Sequence, residues 1–439
     1  MSNTVQRVIQ QSTLPSEITD TIIDHLHDDI QALGTCSLVY SEWLVRSRYH
    51  IFSTVQLSPC RARRFFDLAA SRMCTFVNQI SRVEMNGLKR TARREGRQES
   101  RRGEDGNEIM LFSEAMSQSH IPSFAGVRSM EIRNVDWTTL TSSQQATLRS
   151  CLTNFPLLDR LELHDAVFHD LREVARIIKA FPTLLHLTAN ITFMKYLEHT
   201  LASAETTPLT NTLVSLELGT NEAIPVVLNG LTTWDGPQSI KQLKLQNVRL
   251  GDVQYISRTL RRLGNNLQKL SLRIQVGEFS TTSKVDLLCA LDFSSLSNIQ
   301  EVRIEGLKFT KSSIEKSLPG LLKSIESSFL ESLELRFQLG PEMMECIDLR
   351  PMEKALLSLH FFGMKVANMA VEVLPEVSSS EKEMEKWIRR SMNDLDSRGA
   401  LNVVIMHIGA SYDVGRKCDF TNDQVDADPM QATFRRVDR

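Results

Sequence analysis

The chain has 439 residues, of which 41% are hydrophobic and 24% are charged, and its formal net charge is -2. This charge balance gives no reason to expect a nucleic-acid partner, which would favour a basic surface. A chain of this length would ordinarily form two or three domains, although a repeat array can absorb the same length as one unit.

The amino-terminal segment and the cysteines together predict the compartment. Residues 1–13 are polar and read as a tail without a secretory signal, and no run of ~18 apolar residues is present that could span a membrane. The seven cysteines form no C-x-x-C pair, which is typical of reduced thiols. We therefore expect a cytoplasmic or nuclear protein, or both, that does not associate with membranes.

Residues 14–57 predict three short amphipathic helices. The first begins at Leu14-Pro15 and repeats isoleucine along one face, the second follows Asp29, and the third opens at Ser41, a plausible N-cap, before a β-prone run that starts at Ile51. A bundle this small cannot bury all of its apolar side chains, so a partner or a following domain should cover the remainder.

The order of residues in this segment resembles the F-box in the form common in fungal F-box-like proteins. The matching residues are Leu14-Pro15, Glu17, Ile22-Ile23, the string DHLHDD at 24–29, Leu33, Cys36-Ser37-Leu38-Val39, Trp43 and His50-Ile51-Phe52. The match covers about a tenth of the chain and is specific as an ordered set, and Tyr40 departs from it where a cysteine or small residue is frequent.

The resemblance implies that residues 14–57 dock on the Skp adaptor of a cullin-RING ubiquitin ligase. The implied adaptor contacts are Leu14, Pro15, Ile18, Ile22, Leu33, Cys36, Leu38, Val39 and Trp43. The alternative is that the helices only cap the first edge of a repeat array.

A repeated frame, apolar-x-x-apolar-x-apolar, follows this segment. An early copy lies at Ile80, Val83 and Met85, and later copies start 26 to 32 residues apart, within or slightly above the ~20 to 29 residues of leucine-rich repeats. The later copies begin at Val127, Leu158, Leu184, Leu213, Ile240, Leu267, Ile299, Leu330 and Leu356.

Helical patterns lie between the copies, for example over 170–182, where Pro182 ends the helix, and over 251–264. The fold class is therefore predicted to be α/β: a three-helix F-box followed, over residues 58–410, by an irregular leucine-rich-repeat solenoid with a parallel sheet on the concave side and helices on the convex side. Placing the frame on helices fits less well, because its spacing suits a strand entered from a turn. The asparagine that usually follows each strand is not regular, since Asn134, Asn221 and Asn247 stand at inconsistent offsets.

Side chains between the buried positions of each strand should face solvent on the concave side. The row between the last two apolar positions includes Thr188, Ser271 and His360, and the first half of the surface is mainly acidic while the second is mixed with Arg and Lys. Such a surface could hold a protein substrate of complementary charge, although an ordinary solvated sheet face is an equal reading for any single residue. The candidate substrate contacts are Glu131, Glu162, Glu217, Lys244, Arg273, Arg303, Glu334 and Arg336.

Two segments outside the frame carry separate predictions. Residues 89–108 are charged and nearly devoid of apolar side chains, so they predict a disordered insertion, with a nuclear-import signal as the alternative. Ser380 and Glu383 predict the capping box of a helix that ends at Gly399, a last strand is expected over 401–408, and residues 411–439 read as a loose tail.

The sequence offers no catalytic signature. His25 and His27 stand two apart on a helix and face different directions, and His164 and His169 lack a third convergent ligand. No nucleophile elbow, zinc-protease, Walker or dinucleotide motif is present, so we expect no metal, no cofactor and no catalytic residue.

The resemblance and the repeats together predict a non-enzymatic substrate receptor. Its partners would be a Skp-type adaptor, a cullin reached through that adaptor, and a protein substrate that the sequence does not identify. A leucine-rich scaffold that binds a protein without any ligase is the alternative, and an enzyme is a distant third.

Overall fold

A computed structural model defines the fold. It describes residues 15–72, 74–87, 123–194, 212–220, 222–233, 239–275, 287–308, 311, 313–339, 347–361, 363–373 and 381–407. Several predicted features therefore lie outside the described residues: the 1–13 tail, Leu14, the 89–108 insertion, Asn221, Ser380 of the predicted capping box and the 411–439 tail.

Three helices open the described chain, α1 (Ser16–His25), α2 (Ile30–Val39) and α3 (Ser41–Ser53). Pro15 stands just before α1, and the carboxylate of Asp29 caps α2 by accepting from the Ala32 N–H at 2.9 Å. Ser41 is the first residue of α3 and Tyr40 takes the cap position, so the predicted serine cap is wrong by one residue. The β-prone run also starts later than predicted, because α3 continues through Ile51 to Ser53.

Parallel strands then form one sheet, in which each strand pairs with the next strand along the chain. This arrangement confirms the α/β class and the parallel repeat solenoid. The twelve strands among the described residues are β1 (Thr54–Leu57), β2 (Arg82–Asn86), β3 (Ser129–Arg133), β4 (Arg160–Phe168), β5 (His186–Phe193), β6 (Ser215–Leu218), β7 (Gln242–Val248), β8 (Lys269–Ile274), β9 (Glu301–Lys308), β10 (Ser332–Leu339), β11 (Val366–Val373) and β12 (Leu401–His407).

Helices connect many of these strands and pack on the apolar side of the sheet. They are α4 (Pro59–Ala69), α5 (Ser142–Leu152), α6 (Leu171–Ile178), α7 (Ala223–Thr233), α8 (Val253–Leu263), α9 (Leu318–Lys323), α10 (Arg350–Phe361), α11 (Glu381–Ser391) and α12 (Asn393–Ser397). The predicted helices over 170–182 and 251–264 correspond to α6 and α8. The helix predicted to end at Gly399 is interrupted at Met392 and divides into α11 and α12.

The register explains why the leucine frame works. Leu161 pairs with Leu187, Leu187 with Leu216 and Leu216 with Leu243, so that equal frame positions form continuous rows across the sheet. These rows belong to one buried cluster that runs from Leu57 to Val403. Neither a strand nor a helix could bury its apolar side alone, so each repeat is stabilised by its neighbours.

The last copy of the frame lies in a different element from the one predicted. Leu356 and Leu359 belong to α10, where they form one buried helical face with Met352 and Ala355. The strand of this repeat is β11, whose buried positions include Ala367 and Met369 in place of leucines. The array also begins one strand earlier than the first recognised copy, with β1 paired to β2.

The position two residues after the end of the frame has the same backbone conformation in several repeats. Asn134, Asp165, Asn247 and Gly306 each stand two residues beyond the last apolar position, and all four have positive φ values of 51° to 72°. Asn134 and Asn247, which were predicted to stand at inconsistent offsets, thus share one offset. Asp165 and Gly306 occupy the same position in two other repeats. Asn, Asp and Gly tolerate this left-handed conformation better than other residues.

Hydroxyl side chains supply a second link between repeats. Thr183, Thr212, Ser239 and Ser327 donate to the backbone carbonyls of Leu158, Leu184, Leu213 and Ile299 at 2.8 to 2.9 Å. Each acceptor is the first apolar residue of a frame in the preceding repeat, so these bonds satisfy buried carbonyl groups where the chain turns into the next strand.

A substitution at Gly306 tests whether the position after the frame requires a residue that tolerates positive φ. It has φ +72°, and a Cβ added there would overlap the carbonyl oxygen of Ile274 on β8. We expect Gly306→Ala to lower the free energy of unfolding by about 1 to 2 kcal/mol from the left-handed conformation alone, and by more once the neighbouring carbonyl is displaced.

Gly320 in α9 provides the matched control, because a Cβ added there would have nothing within 4 Å. Gly320→Ala should be neutral or stabilise by about 0.5 to 1 kcal/mol. Urea unfolding measures both variants, and an equal response at the two positions would contradict the assignment.

Candidate functional site

The amino-terminal helices expose large apolar side chains. Ile18 and Ile22, one turn apart on α1, are each 49% exposed, Val39 is 63% exposed, and Leu38 is 87% exposed at the end of α2. Pro15 is exposed beside them in the chain. Five of the predicted adaptor contacts are therefore accessible to a partner, and we name Pro15, Ile18, Ile22, Leu38 and Val39 the amino-terminal apolar surface.

The other predicted contacts have different environments. Leu33 is fully buried, so its side chain supports the helices from within and cannot touch a partner, which corrects its assignment. Cys36 and Trp43 are half-buried and offer only part of their surface. An amphipathic pattern identifies an apolar face but does not say which of its members the small bundle itself covers.

The small interior of the bundle explains the exposure. Among the described residues of the three helices, the buried side chains are Thr19, Ile23, Leu33 and Ser47, and two of these four are small and polar. Further exposed apolar residues of the same segment are absent from the predicted adaptor contacts. These are Ile30 on α2, Tyr40 between α2 and α3, and Val45 and Tyr49 on α3.

An ion pair fixes α1 against α3. The Asp24 carboxylate accepts from Arg46 Nε and Nη2, each at 2.6 Å, and lies 2.7 Å from His50 Nε2. Hydrogen bonds from Arg46 first, and then from His50, hold the pKa of Asp24 well below its usual range. Ile18 and Ile22 on α1 are thereby held in a fixed relation to α3.

Aromatic rings join the bundle to the array. Phe52, at the end of α3, stacks on Phe76 with ring centroids 4.7 Å apart, and Phe65 of α4 lies 6.2 Å from Phe76 and 6.0 Å from Phe124. The contacts reach Phe155, whose ring stacks on Phe124 at 5.0 Å. The amino-terminal helices therefore sit on the first repeats through specific ring contacts as well as through the backbone.

The open side of the sheet carries the polar row that the frame predicted. The strand register places Glu131 beside Glu162, Glu162 beside Thr188, and Thr188 beside Glu217. The same row continues through Lys244, Ser271, Arg303 and Glu334 and ends in Asn368 and Asn402. The prediction that His360 belongs to this row is wrong, because His360 lies in α10.

The acidic end of this surface is neutralised within the protein. Glu131 is 0% exposed, accepts a hydrogen bond from Arg82 Nη2 at 2.6 Å and another from Arg133, and lies 3.6 Å from His164. Burial alone would raise the pKa of Glu131, but the hydrogen bonds from Arg133 and Arg82 outweigh it and lower the pKa. Glu131 is thus a structural carboxylate and is not available as a substrate contact.

Glu131, Glu162 and His164 bring potential metal-ligand atoms within 4.8 Å of one another. His164 therefore has convergent neighbours that the sequence did not indicate. Arg82 already donates to Glu131 and lies 3.9 Å from Glu162, so positive charge is present without an ion, and the group is best described as an ion-pair cluster.

A second ion-pair cluster lies at the other end of the surface. Arg303 contacts Glu305 and lies 3.4 Å from Glu334, and Arg336 lies 3.2 Å from Glu334 and 3.9 Å from Glu372. Between the clusters, Lys244 pairs with Glu217 at 2.8 Å, while Arg273 is 62% exposed and 3.9 Å from Glu305. The charges expected to face a substrate are therefore largely paired with one another, and Lys244 and Arg273 remain the most accessible of the predicted set.

The buried position of Glu131 gives a testable consequence. Glu131→Gln should lower the free energy of unfolding by about 1.5 to 3 kcal/mol, because charge-assisted hydrogen bonds from Arg82 and Arg133 are lost. Glu334→Gln is the matched control: its partners are also arginines, but the carboxylate is partly exposed, so the loss should stay below about 1 kcal/mol.

The pH dependence of the Glu131 effect follows from its lowered pKa. A carboxyl group of this kind stabilises the fold fully above its unfolded pKa, which is about 4.5, and the stabilisation is lost as the pH falls through the folded pKa. The difference between wild type and Glu131→Gln should therefore be constant from about pH 8 to about pH 6 and shrink in acid. A difference that grows in acid, or an equal loss in Glu334→Gln, would contradict this role.

Comparisons with known proteins add little to this description. No family model matches the chain, and no curated protein matches it. In the described residues, no helix is long and apolar enough to cross a bilayer. One solved structure, described as the crystal structure of the Rad7 and Elc1 complex in yeast, covers 84% of this chain and 90% of that chain at 12% sequence identity and a TM-score of 0.31. The assignment of the repeat fold rests on the strand register of this chain.

Proposed function

We propose that the chain is a non-catalytic substrate receptor of a Skp-cullin-F-box ubiquitin ligase. Residues 14–57 act as the F-box and bind a Skp-type adaptor, which connects the receptor to a cullin. The open face of the repeat sheet binds the protein to be ubiquitinated. The receptor would act in the cytoplasm, the nucleus or both.

The observation that carries this proposal is the exposure of the amino-terminal apolar surface. Leu38 is 87% exposed and Val39 63% exposed, whereas the leucines of the repeated frame in the array are buried almost completely. A leucine that moves from water into an interface gains about 1.5 to 3 kcal/mol, so a few such residues supply much of the affinity for a partner. The F-box pattern assigns that partner as the Skp adaptor.

The array suits the second part of the proposal, in which the open face of the sheet binds a protein substrate over an extended surface. Neighbouring strands lie about 4.8 Å apart, so a twelve-strand sheet presents an open face roughly 50 Å wide. The receptor contributes proximity: a lysine of the bound substrate is held near the charged carrier enzyme, and a bimolecular encounter becomes local. This mechanism requires no catalytic residue, metal or cofactor from the chain.

Leu38→Glu tests the adaptor assignment. The substitution places a charge in the centre of the proposed contact, and we expect the affinity for a co-expressed Skp-type adaptor to fall by at least about tenfold, measured by titration calorimetry. The thermal unfolding midpoint should stay unchanged, because Leu38 packs against little of the chain itself.

Leu68→Glu is the control, since Leu68 is also an exposed leucine near a helix end but lies on α4 of the array. It should bind the adaptor like the wild type. Equal affinity in Leu38→Glu, or absence of adaptor binding by the intact chain, would contradict the proposal and favour a repeat scaffold without a ligase.

A further inference from the structure

A polar groove lies at the carboxyl ends of β4 to β7 on the open face, next to the first ion-pair cluster, whose His164 forms part of its lining. It encloses about 420 Å³ and is lined by residues that include Thr188, Asn190, Thr192, Gly219 and Gln246. Of the predicted substrate contacts, Glu217 alone lines it within the described part of the chain, so the groove is a separate feature of the sheet.

Three neighbouring side chains on β5 form the floor of the groove. Thr188, Asn190 and Thr192 alternate with the buried residues of the strand, so all three point to the open face. They are half-buried, and none of them makes a side-chain hydrogen bond to another residue in the part of the chain that the structure describes. Their hydrogen-bonding capacity is therefore available to a ligand.

Gly219 keeps the floor open beside Asn190. An added Cβ at Gly219 would lie 3.2 Å from the Asn190 Cβ and 3.4 Å from its Oδ1, so the glycine leaves the space that the amide needs. Asn247 Nδ2 donates to the Gly219 carbonyl at 2.8 Å and holds this turn in place. The amide of Asn190 is thus positioned by its surroundings, while no described residue bonds to it.

The charges around the groove select against an anionic ligand. Glu217 pairs with Lys244 and also accepts from Gln246, and Arg249 Nε donates to Gln275 at 2.9 Å. Glu222 adds another carboxylate to the lining. A phosphate would meet the carboxylates of Glu217 and Glu222, whereas neutral donors and acceptors would meet the hydroxyl and amide groups of the floor.

The spacing of the floor indicates the shape of the ligand. Alternate residues of a strand lie about 6.6 Å apart, which is also the distance between same-side residues of an extended peptide. The groove is a depression that is partly open to solvent on the face of the sheet. A peptide laid along β5 could therefore pair successive same-side residues with Thr188, Asn190 and Thr192.

We propose that this groove binds an extended peptide segment whose recognised side chains are uncharged hydrogen-bonding groups, such as serine, threonine, asparagine or glutamine. Phosphorylation of that segment weakens binding. This inference rests on the proposed receptor function, because it names the class of segment by which the substrate is held.

A displayed library of random dodecapeptides, selected against the full chain, tests the proposal. Selection should enrich serine, threonine, asparagine and glutamine over charged residues. The triple variant Thr188→Val, Asn190→Leu, Thr192→Val should bind the enriched peptides at least about tenfold more weakly, because valine and leucine keep the approximate shape but remove the polar groups. Lys323→Ala, at the exposed end of α9 on the helical side of the sheet, should bind them like the wild type.

Two further measurements separate the alternatives. A synthetic enriched peptide should bind at least about tenfold more weakly when its serine is replaced by phosphoserine. Gly219→Ala, which crowds Asn190 without changing any polar group, should also weaken binding, and it replaces the triple variant if that variant fails to fold. Unchanged affinity in both groove variants, tighter binding of the phosphopeptide or selection of charged peptides would overturn the proposal.

The test is independent of the adaptor. Leu38→Glu should retain the full affinity for the enriched peptide, because the amino-terminal surface and the groove lie on different elements. Peptide binding by a chain that binds no adaptor would leave the groove assignment standing while contradicting the ligase role.

Discussion

The registered stacking of parallel strands is the constraint on which the structure depends. Each strand buries two frame positions and pairs with the next strand along the chain, so that leucines such as Leu161, Leu187 and Leu216 form rows across the sheet. A single repeat has too little apolar contact to be stable, and stability accumulates through the contacts between neighbours. The hydroxyl bonds and the residues with positive φ serve this same purpose, because they allow each turn to end one strand and start the next in register.

This constraint also explains why the amino-terminal helices differ from the array. They join the first repeats through the ring of Phe52 on Phe76 and through the chain entering β1. The buried cluster of the array does not extend to Ile23 or Leu33, so the helices have a small interior of their own. The apolar residues beyond that interior remain in water, which is the physical basis for a docking surface.

The strands could be predicted from the sequence where leucines occupy both buried positions. The prediction was wrong where other residues occupy those positions. Ala367 and Met369 fill the rows in β11, and the leucines nearby belong to α10, so the frame pointed to the wrong element. Spacing alone could not show that Glu131 would be enclosed by Arg82 and Arg133, because Arg82 comes from a different strand. The same limit applies to Leu33, whose burial depends on how three helices pack.

The charged side chains of the open face are less available to a partner than the composition suggested. Alternating charges predicted a surface for a charged partner, yet most of these charges neutralise each other across adjacent strands, as Lys244 does with Glu217. Within the described part of this face, Thr188, Asn190 and Thr192 on β5 are neutral side chains that keep hydrogen-bonding capacity for a ligand. Specificity on this sheet would then come from hydrogen bonding more than from long-range charge.

Hydrogen exchange of the chain with and without a Skp-type adaptor shows whether the amino-terminal helices form the docking surface. We expect slower exchange in α1 and α2, around Ile18, Ile22, Leu38 and Val39, with the strands of the array unchanged. Protection confined to the array, or no protection anywhere, would contradict the claim that the exposed apolar residues of the amino-terminal helices bind the adaptor.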